Sequence, residues 1–141
     1  MAIELKIHPL DFEPDIAIGI DLPMMTSQGA GFQQTYTTLN QAVANAKNLL
    51  FTNKGERIMQ PDFGCDLRSL LFENITEVLF ANIEDTIRSS FDYWLPYIFI
   101  NELSITSAAD QNRVFITMKI SLEGNKFDTR SIQLEVINTA I

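Results

Sequence analysis

The chain has 141 residues, of which 46% are hydrophobic and 20% charged, and it carries a formal charge of −8. That length suggests one domain, and a chain of this size buries about two-thirds of its unfolded surface, enough for a core without metal or disulfide. The acidic balance argues against a general nucleic-acid binder, which needs a positive field. One cysteine rules out an intrachain disulfide framework, and no apolar run approaches the ~20 residues that span a bilayer.

Residues 1–35 read as an extended arm. Ile3, Leu5 and Ile7 alternate, as do Ile16, Ile18 and Ile20, while Pro9, Pro14 and Pro23 interrupt any central strand. The glycine-containing run at 26–31 reads as a loop. Such an arm can fold along its own domain or dock on a neighbouring subunit, and the sequence leaves both open. No basic segment followed by an apolar one opens the chain, so the expectation is a soluble protein made in a cytoplasm, without a signal peptide.

Residues 36–141 read as one α+β domain. A first helix is expected over 39–50, with Thr38 and Gln41 spaced as a capping box and Leu39, Ala42, Val43, Ala46, Leu49 and Leu50 on one stripe. Residues 51–59 are expected to form a short β-ribbon around Asn53-Lys54-Gly55, followed by a second turn at Pro61-Asp62-Phe63-Gly64. Asp66 should then cap a helical turn reaching Phe72. The second main helix starts at Asn74 or Thr76, carries Leu79, Ile83, Ile87 and Phe91 at every fourth position, and stops before Pro96. Beyond it the period becomes two. Ile98 and Ile100 alternate, the phase slips at Asn101-Glu102 as at a bulge, and alternation resumes over Val114–Leu122 and again at Ile132, Leu134 and Val136. The expected architecture is two main helices packed on a C-terminal antiparallel β-meander.

Residue types leave little room for catalysis. His8 and Cys65 are each the only residue of their kind, so no cluster of metal-binding histidines and cysteines forms within one chain, and Cys65 has no histidine base in reach of its sequence neighbourhood. Cys65 reads as a small buried packer and His8 as a solvated residue. No phosphate-loop or dinucleotide glycine pattern occurs, and no cofactor is expected. Paired carboxylates could in principle serve a glycosidase. Glu56, Asp62, Asp66, Glu73, Glu84 and Asp85 each have a plainer role as turn, cap or surface partner, and no aromatic-rich loop offers a sugar groove.

The stretch between the two main helices is the most distinctive. Lys54-Gly55-Glu56-Arg57, Pro61-Asp62-Phe63-Gly64-Cys65, Leu67 and Leu71-Phe72-Glu73 together resemble the signature of baseplate wedge proteins in contractile phage tails. That family includes the sheath-initiating subunit and its type VI secretion counterpart. The likeness runs over about 39–136 and leaves the arm uncovered.

The resemblance implies a structural subunit of the virion, in six copies per baseplate, meeting other wedge proteins at a helical core bundle and the tail sheath protein at a sheet edge. It implies no nucleic-acid or membrane partner. Family members carry a Glu-Pro-Arg triplet after the second helix, associated with docking on the wedge core. Here that site reads Trp94-Leu95-Pro96-Tyr97, which keeps the proline and loses both charges. A bidentate arginine contact is therefore impossible; either the docking surface is apolar here or Leu95 and Tyr97 join the core. The last strand, with Ile132, Leu134 and Val136, is the implied site of strand exchange with the sheath. Two alternatives carry other expectations: a carboxylate-dependent muramidase, after older names in the family, and a small regulatory binding module.

Overall fold

The computed structural model describes residues 9–26, 31–70, 76–108, 113–123 and 125–137. A 3-10 turn at Pro9–Phe12 is followed by the short strands β1 (Gly19–Ile20) and β2 (Gln34–Thr35), which pair antiparallel. Then come α1 (Thr38–Phe51), α2 (Leu67–Leu70), α3 (Glu77–Trp94) and three long strands, β3 (Ile98–Ala108), β4 (Arg113–Leu122) and β5 (Asn125–Ile137). The three pair antiparallel in the order β3-β4-β5, so the meander stands and β5 is an edge strand.

The helices form where their apolar residues share a face. In α3, Leu79, Ile83, Ile87 and Phe91 are all at most 1% exposed. Each such side chain contributes roughly 1.5–3 kcal/mol by leaving water. They meet Ala42, Ala46, Leu49 and Leu50 of α1 and Val114, Ile116, Met118 and Ile120 of β4 in one cluster. β4 is the middle strand, and its even-numbered residues face this cluster while Phe115 and Lys119 face outward. Ile132 and Leu134 add the inner face of β5. The bulge falls where the alternation slipped: the β3–β4 register shifts between Ile100 and Glu102, and Ser121, fully buried, donates its hydroxyl to Asn101 at 3.2 Å. The bulge thus supplies a partner for a polar group that the sheet buries.

The first helix is capped one residue before the expected position and begins at Thr38. Thr37, in extended conformation, is the N-cap and its hydroxyl accepts from Asn40 N–H. Thr38 lies inside the helix, and the Asp11 carboxylate from the arm takes both its N–H (2.9 Å) and its hydroxyl (2.7 Å). A carboxylate at a helix N-terminus fills an orphan donor and also meets the positive end of the dipole. Gln41, expected in the capping box, instead accepts from the Thr35 hydroxyl and donates to Asn45. For α3, Thr76 is the N-cap; Asn74 lies outside the described residues.

The arm residues described here follow their own α1. Besides Asp11 and Thr35, the Lys47 ammonium donates to the Leu22 carbonyl at 2.8 Å. Among the described residues of the arm, extended pairing is confined to β1 and β2, plus one isolated bridge between Thr26 and Phe32, and Pro14 and Pro23 bracket the isoleucine run. The alternating residues Ile3, Leu5 and Ile7, and His8 beside them, lie outside the described residues.

The expected ribbon over 51–59 does not form. Phe51 is the last residue of α1, and the backbone bonds that follow are turn bonds: Glu56 N–H to Asn53, Gln60 N–H to Arg57 and Phe63 N–H to Gln60. A strand pair holds its register by burying one face, whereas Ile58 and Met59 are consecutive and both lie in water. The segment is a compact loop instead. The Cys65 N–H donates to the Thr52 carbonyl across its base, and the Gly55 N–H to the Pro61 carbonyl across its waist. Asp66 is not an extended cap either: it sits at φ 48°, in left-handed space, and its carbonyl accepts the Ser69 hydroxyl.

Candidate functional site

The signature residues divide by depth. Phe63, Gly64, Cys65 and Leu67 are buried at the loop base, while Lys54, Gly55, Glu56, Pro61 and Asp62 are exposed. Gly64 has φ 129°, and a Cβ there would collide with the Thr52 carbonyl oxygen and lie 2.9 Å from the Asn53 carbonyl carbon. This glycine is the condition for the Thr52–Cys65 closure. Cys65 is fully buried, with its thiol over the Thr86 carbonyl, and burial pushes its pKa up. A thiol held protonated packs; it does not attack. Leu71 and Phe72 lie outside the described residues.

The loop edge is tied by Glu56, whose two oxygens accept from the Asn53 backbone N–H (3.0 Å) and side-chain amide (2.8 Å). Those two bonds hold its carboxyl below the usual carboxylate range. The direction is wrong for a general acid, which needs a raised pKa. It also fixes a pH dependence. Because the folded pKa is depressed, the bond's contribution is complete above the ordinary carboxylate pKa and is lost as pH falls through the lower folded value. Glu56→Gln should therefore remove an acid-side loss of loop protection, read by amide exchange at Asn53 as pH falls below ~4.

One chain of rings connects the loop to the end of α3. The Arg57 guanidinium stacks 3.9 Å from the Phe63 ring centre, Phe63 meets Trp94 edge-on at 5.1 Å, and Trp94 meets Tyr93 edge-on at 4.9 Å. Each contact of this kind is worth about 0.5–1.5 kcal/mol. The structure thus brings together two sets of residues that the sequence offered separately, the signature and the Trp94–Tyr97 segment.

Within that segment the side chains of Leu95 and Tyr97 turn inward. Leu95 belongs to the core cluster. Tyr97 is half-buried against the same cluster, and its hydroxyl accepts from the Asn45 amide of α1 at 2.8 Å. Trp94 is half-buried between its ring partners, and only Pro96 is exposed. The reason is the strand that follows. Ile98 N–H bonds back to the Leu95 carbonyl and Glu123 N–H to the Tyr97 carbonyl, which pins the segment as the corner between α3 and β3. Tyr97→Ala should accordingly lower monomer stability by about 2–3 kcal/mol, seen as a fall in the denaturant midpoint at unchanged slope.

Sequence reading missed the residues that do face outward here. Ile58 and Met59, at the loop tip, are 96% and 92% exposed, and Tyr93 is 76% exposed. The available signal was two adjacent large apolar residues inside a turn-rich run, where no periodicity could bury both. In β5, Ile132 and Leu134 are buried and Val136 half-buried, so the expected strand-exchange residues serve the core through their side chains. What β5 leaves outside the core is its backbone edge and its odd-numbered residues Ser131, Gln133 and Glu135.

Among the described residues no group of three His, Cys, Asp or Glu residues could hold a metal ion, and no helix is long and apolar enough to cross a membrane. Glu84 is engaged by Arg88 at 2.8 Å on the surface of α3.

A closed loop between two helices, stacked on the end of the second and followed by a three-stranded meander, is a scaffold with no catalytic constellation among its described residues. The chain belongs to the baseplate wedge protein gp25 family, whose pattern matches residues 38–126. A curated relative, baseplate wedge protein gp25 of Enterobacteria phage T4, is 29% identical over 91 residues, covering 64% of this chain and 69% of that protein. The fold recurs in the baseplate of the anti-feeding prophage (TM-score 0.64, 26% identity, 77% of this chain and 86% of that one). It recurs also in the post-contraction baseplate of pyocin R2 (TM-score 0.50, 15% identity, 81% and 98%), where the likeness is one of fold. A protein of Geobacter sulfurreducens described as a tail lysozyme shares the fold at 22% identity and TM-score 0.60, over 69% of this chain and 87% of that one. That likeness too is one of fold and assigns no activity. The protein is a structural subunit of a contractile tail baseplate, located in the virion and assembled with other baseplate components.

Proposed function

We propose that this subunit joins the baseplate wedge to the first ring of the tail sheath, in six copies per baseplate, and templates that ring by β-strand exchange at the edge of β5. The observation that carries this reading is the edge itself. β5 runs for 13 residues and, among the described residues, pairs on one side only, with β4, so a row of backbone donors and acceptors faces outward. Such a row takes an added strand through main-chain bonds, and many copies in a ring multiply a weak contact by effective concentration. The wedge is met at the exposed Ile58, Met59, Tyr93 and Pro96, and this replaces the Trp94–Tyr97 surface as the contact with the helical core bundle. Loop and α3 end are held as one body by the ring contacts, so little ordering entropy opposes binding there.

The experiment is co-purification of the intact protein with the cognate sheath protein, joined to electron microscopy of particles lacking this subunit. Bound sheath, and baseplates that form without an ordered first sheath ring, are the expected results. A wild-type protein that never retains sheath, with sheath rings intact in its absence, overturns the reading. Neither the muramidase nor the regulatory-module alternative has an observation in its favour: the Glu56 carboxyl is shifted the wrong way, and the family is one of virion components.

A further inference from the structure

Three hollows follow one another along β5. The first, about 410 Å³, is lined by Arg130 and Ser131 of β5, with Lys47 of α1 and Asp21 of the arm. The second, about 440 Å³, is lined by Gln133 and Leu134, with Leu22, Pro23, Lys47 and Phe51. The third, about 370 Å³, is lined by Leu134, Glu135 and Val136, with Phe51, Leu67 and Arg68. Lys47 is shared by the first two, Phe51 and Leu134 by the last two, so the hollows form one groove.

A hollow on one face of a strand is lined by every second residue, because side chains alternate. Here consecutive residues line it, so the groove opens at the backbone edge of β5. From Arg130 to Val136 it spans about 20 Å, the reach of six or seven extended residues. Its middle is apolar, with Phe51 standing 64% exposed on the rim. Its ends differ in charge. Arg68 shares its end with Glu135, which Arg113 also holds at 2.6 Å, and the two lining charges cancel. At the other end Lys47 and Arg130 outnumber Asp21 by one. Lys47 is engaged by the Leu22 carbonyl and the Asp21 carboxylate by the Leu22 N–H, while Arg130 makes no ion pair among the described residues. In a chain of charge −8 this is a local cationic end.

We infer that the groove selects its occupant by chemistry. The occupant is an extended segment of another protein with apolar residues at alternate positions and a carboxylate side chain at the Arg130 end. Main-chain bonds to β5 hold the segment, Leu22, Pro23 and Phe51 take its apolar side chains, and Arg130 pairs with its carboxylate. The inference rests on the reading of β5 as the strand-accepting edge and adds which segment that edge accepts.

The test uses the intact protein and the cognate sheath protein, with Arg130→Glu and Phe51→Asp as variants. Both residues are exposed, so both variants should melt with the wild type. Each should weaken sheath binding at least ten-fold. A ten-residue peptide of alternating isoleucine and threonine with a glutamate at one end should compete with sheath, and its lysine counterpart at least ten-fold less well, with the order reversed on Arg130→Glu. Sheath binding that ignores both variants, or equal or absent competition by the two peptides, overturns the inference and leaves the proposed function standing. Failure of the wild type to bind sheath at all removes both.

Discussion

Replacing Gly64 with valine should abolish folding. The residue holds φ 129°, which an L side chain rarely adopts, and a Cβ would run into the Thr52 carbonyl, the group that accepts the Cys65 N–H and closes the loop. Relief requires moving backbone on both sides of the closure. Cys65 and Leu67 beyond it are buried against α3 and the sheet, so the motion would be felt in the core. Strain and lost packing together should cost on the order of 3–5 kcal/mol, much of the margin of a domain this size. The expected result is insoluble protein, or a soluble protein with no cooperative melt. Gly55→Ala is the control. It too has positive φ (88°), but nothing lies within 4 Å of its Cβ position, and it should lose only about 1 kcal/mol. Wild-type melting of Gly64→Val would show that the closure is not what orders the loop.

The second large effect lies in assembly. The double substitution Ile58→Ser, Met59→Ser should leave the melting temperature within a degree or two of wild type, because both side chains are almost wholly in water in the free protein. Incorporation into baseplates should fall ten-fold or more. Two large apolar side chains that are exposed when free and buried in a complex contribute about 3–5 kcal/mol by transfer alone. Their loop arrives already shaped by the Gly55–Pro61 and Asn53–Glu56 bonds. The measurement is the amount of the variant in purified particles relative to wild type. Normal incorporation would move the wedge contact away from the loop tip.

The elements with a regular period were legible from the residues alone. The stripe of α3, the alternation of β4 and the bulge at Asn101 are local patterns, and each survives because one buried face enforces it. The misses share a different origin. Thr38 has the residue type of a cap, but the Asp11 carboxylate, 27 positions away, claims its donors, so the cap moves to Thr37. Residues 51–59 contain turn formers that suit a ribbon, but a ribbon needs a buried face, and the decision was made by the distant closure at Cys65. Leu95 and Tyr97 look like a surface that lost its charges, and Tyr97 is held by Asn45 across 52 positions. Long-range contacts of this kind leave no trace in local spacing. The candidate site was therefore half readable: the sequence pointed to the signature, but it could not separate the residues that build the loop from those the loop displays.

The single hydrogen bond from Cys65 N–H to the Thr52 carbonyl isolates what lies between the two residues from what lies outside. Everything from Lys54 to Asp62 hangs from a fixed base and, apart from Arg57, reaches little of the interior. Such a stretch is a cassette. Exchanging residues 54–62 for the equivalent tip of a related subunit should transplant the preference for one wedge neighbour over another while the host domain folds and melts as before. Divergent tails could thus change neighbours by rewriting nine positions and keep the core, the sheet and the glycine beneath them untouched.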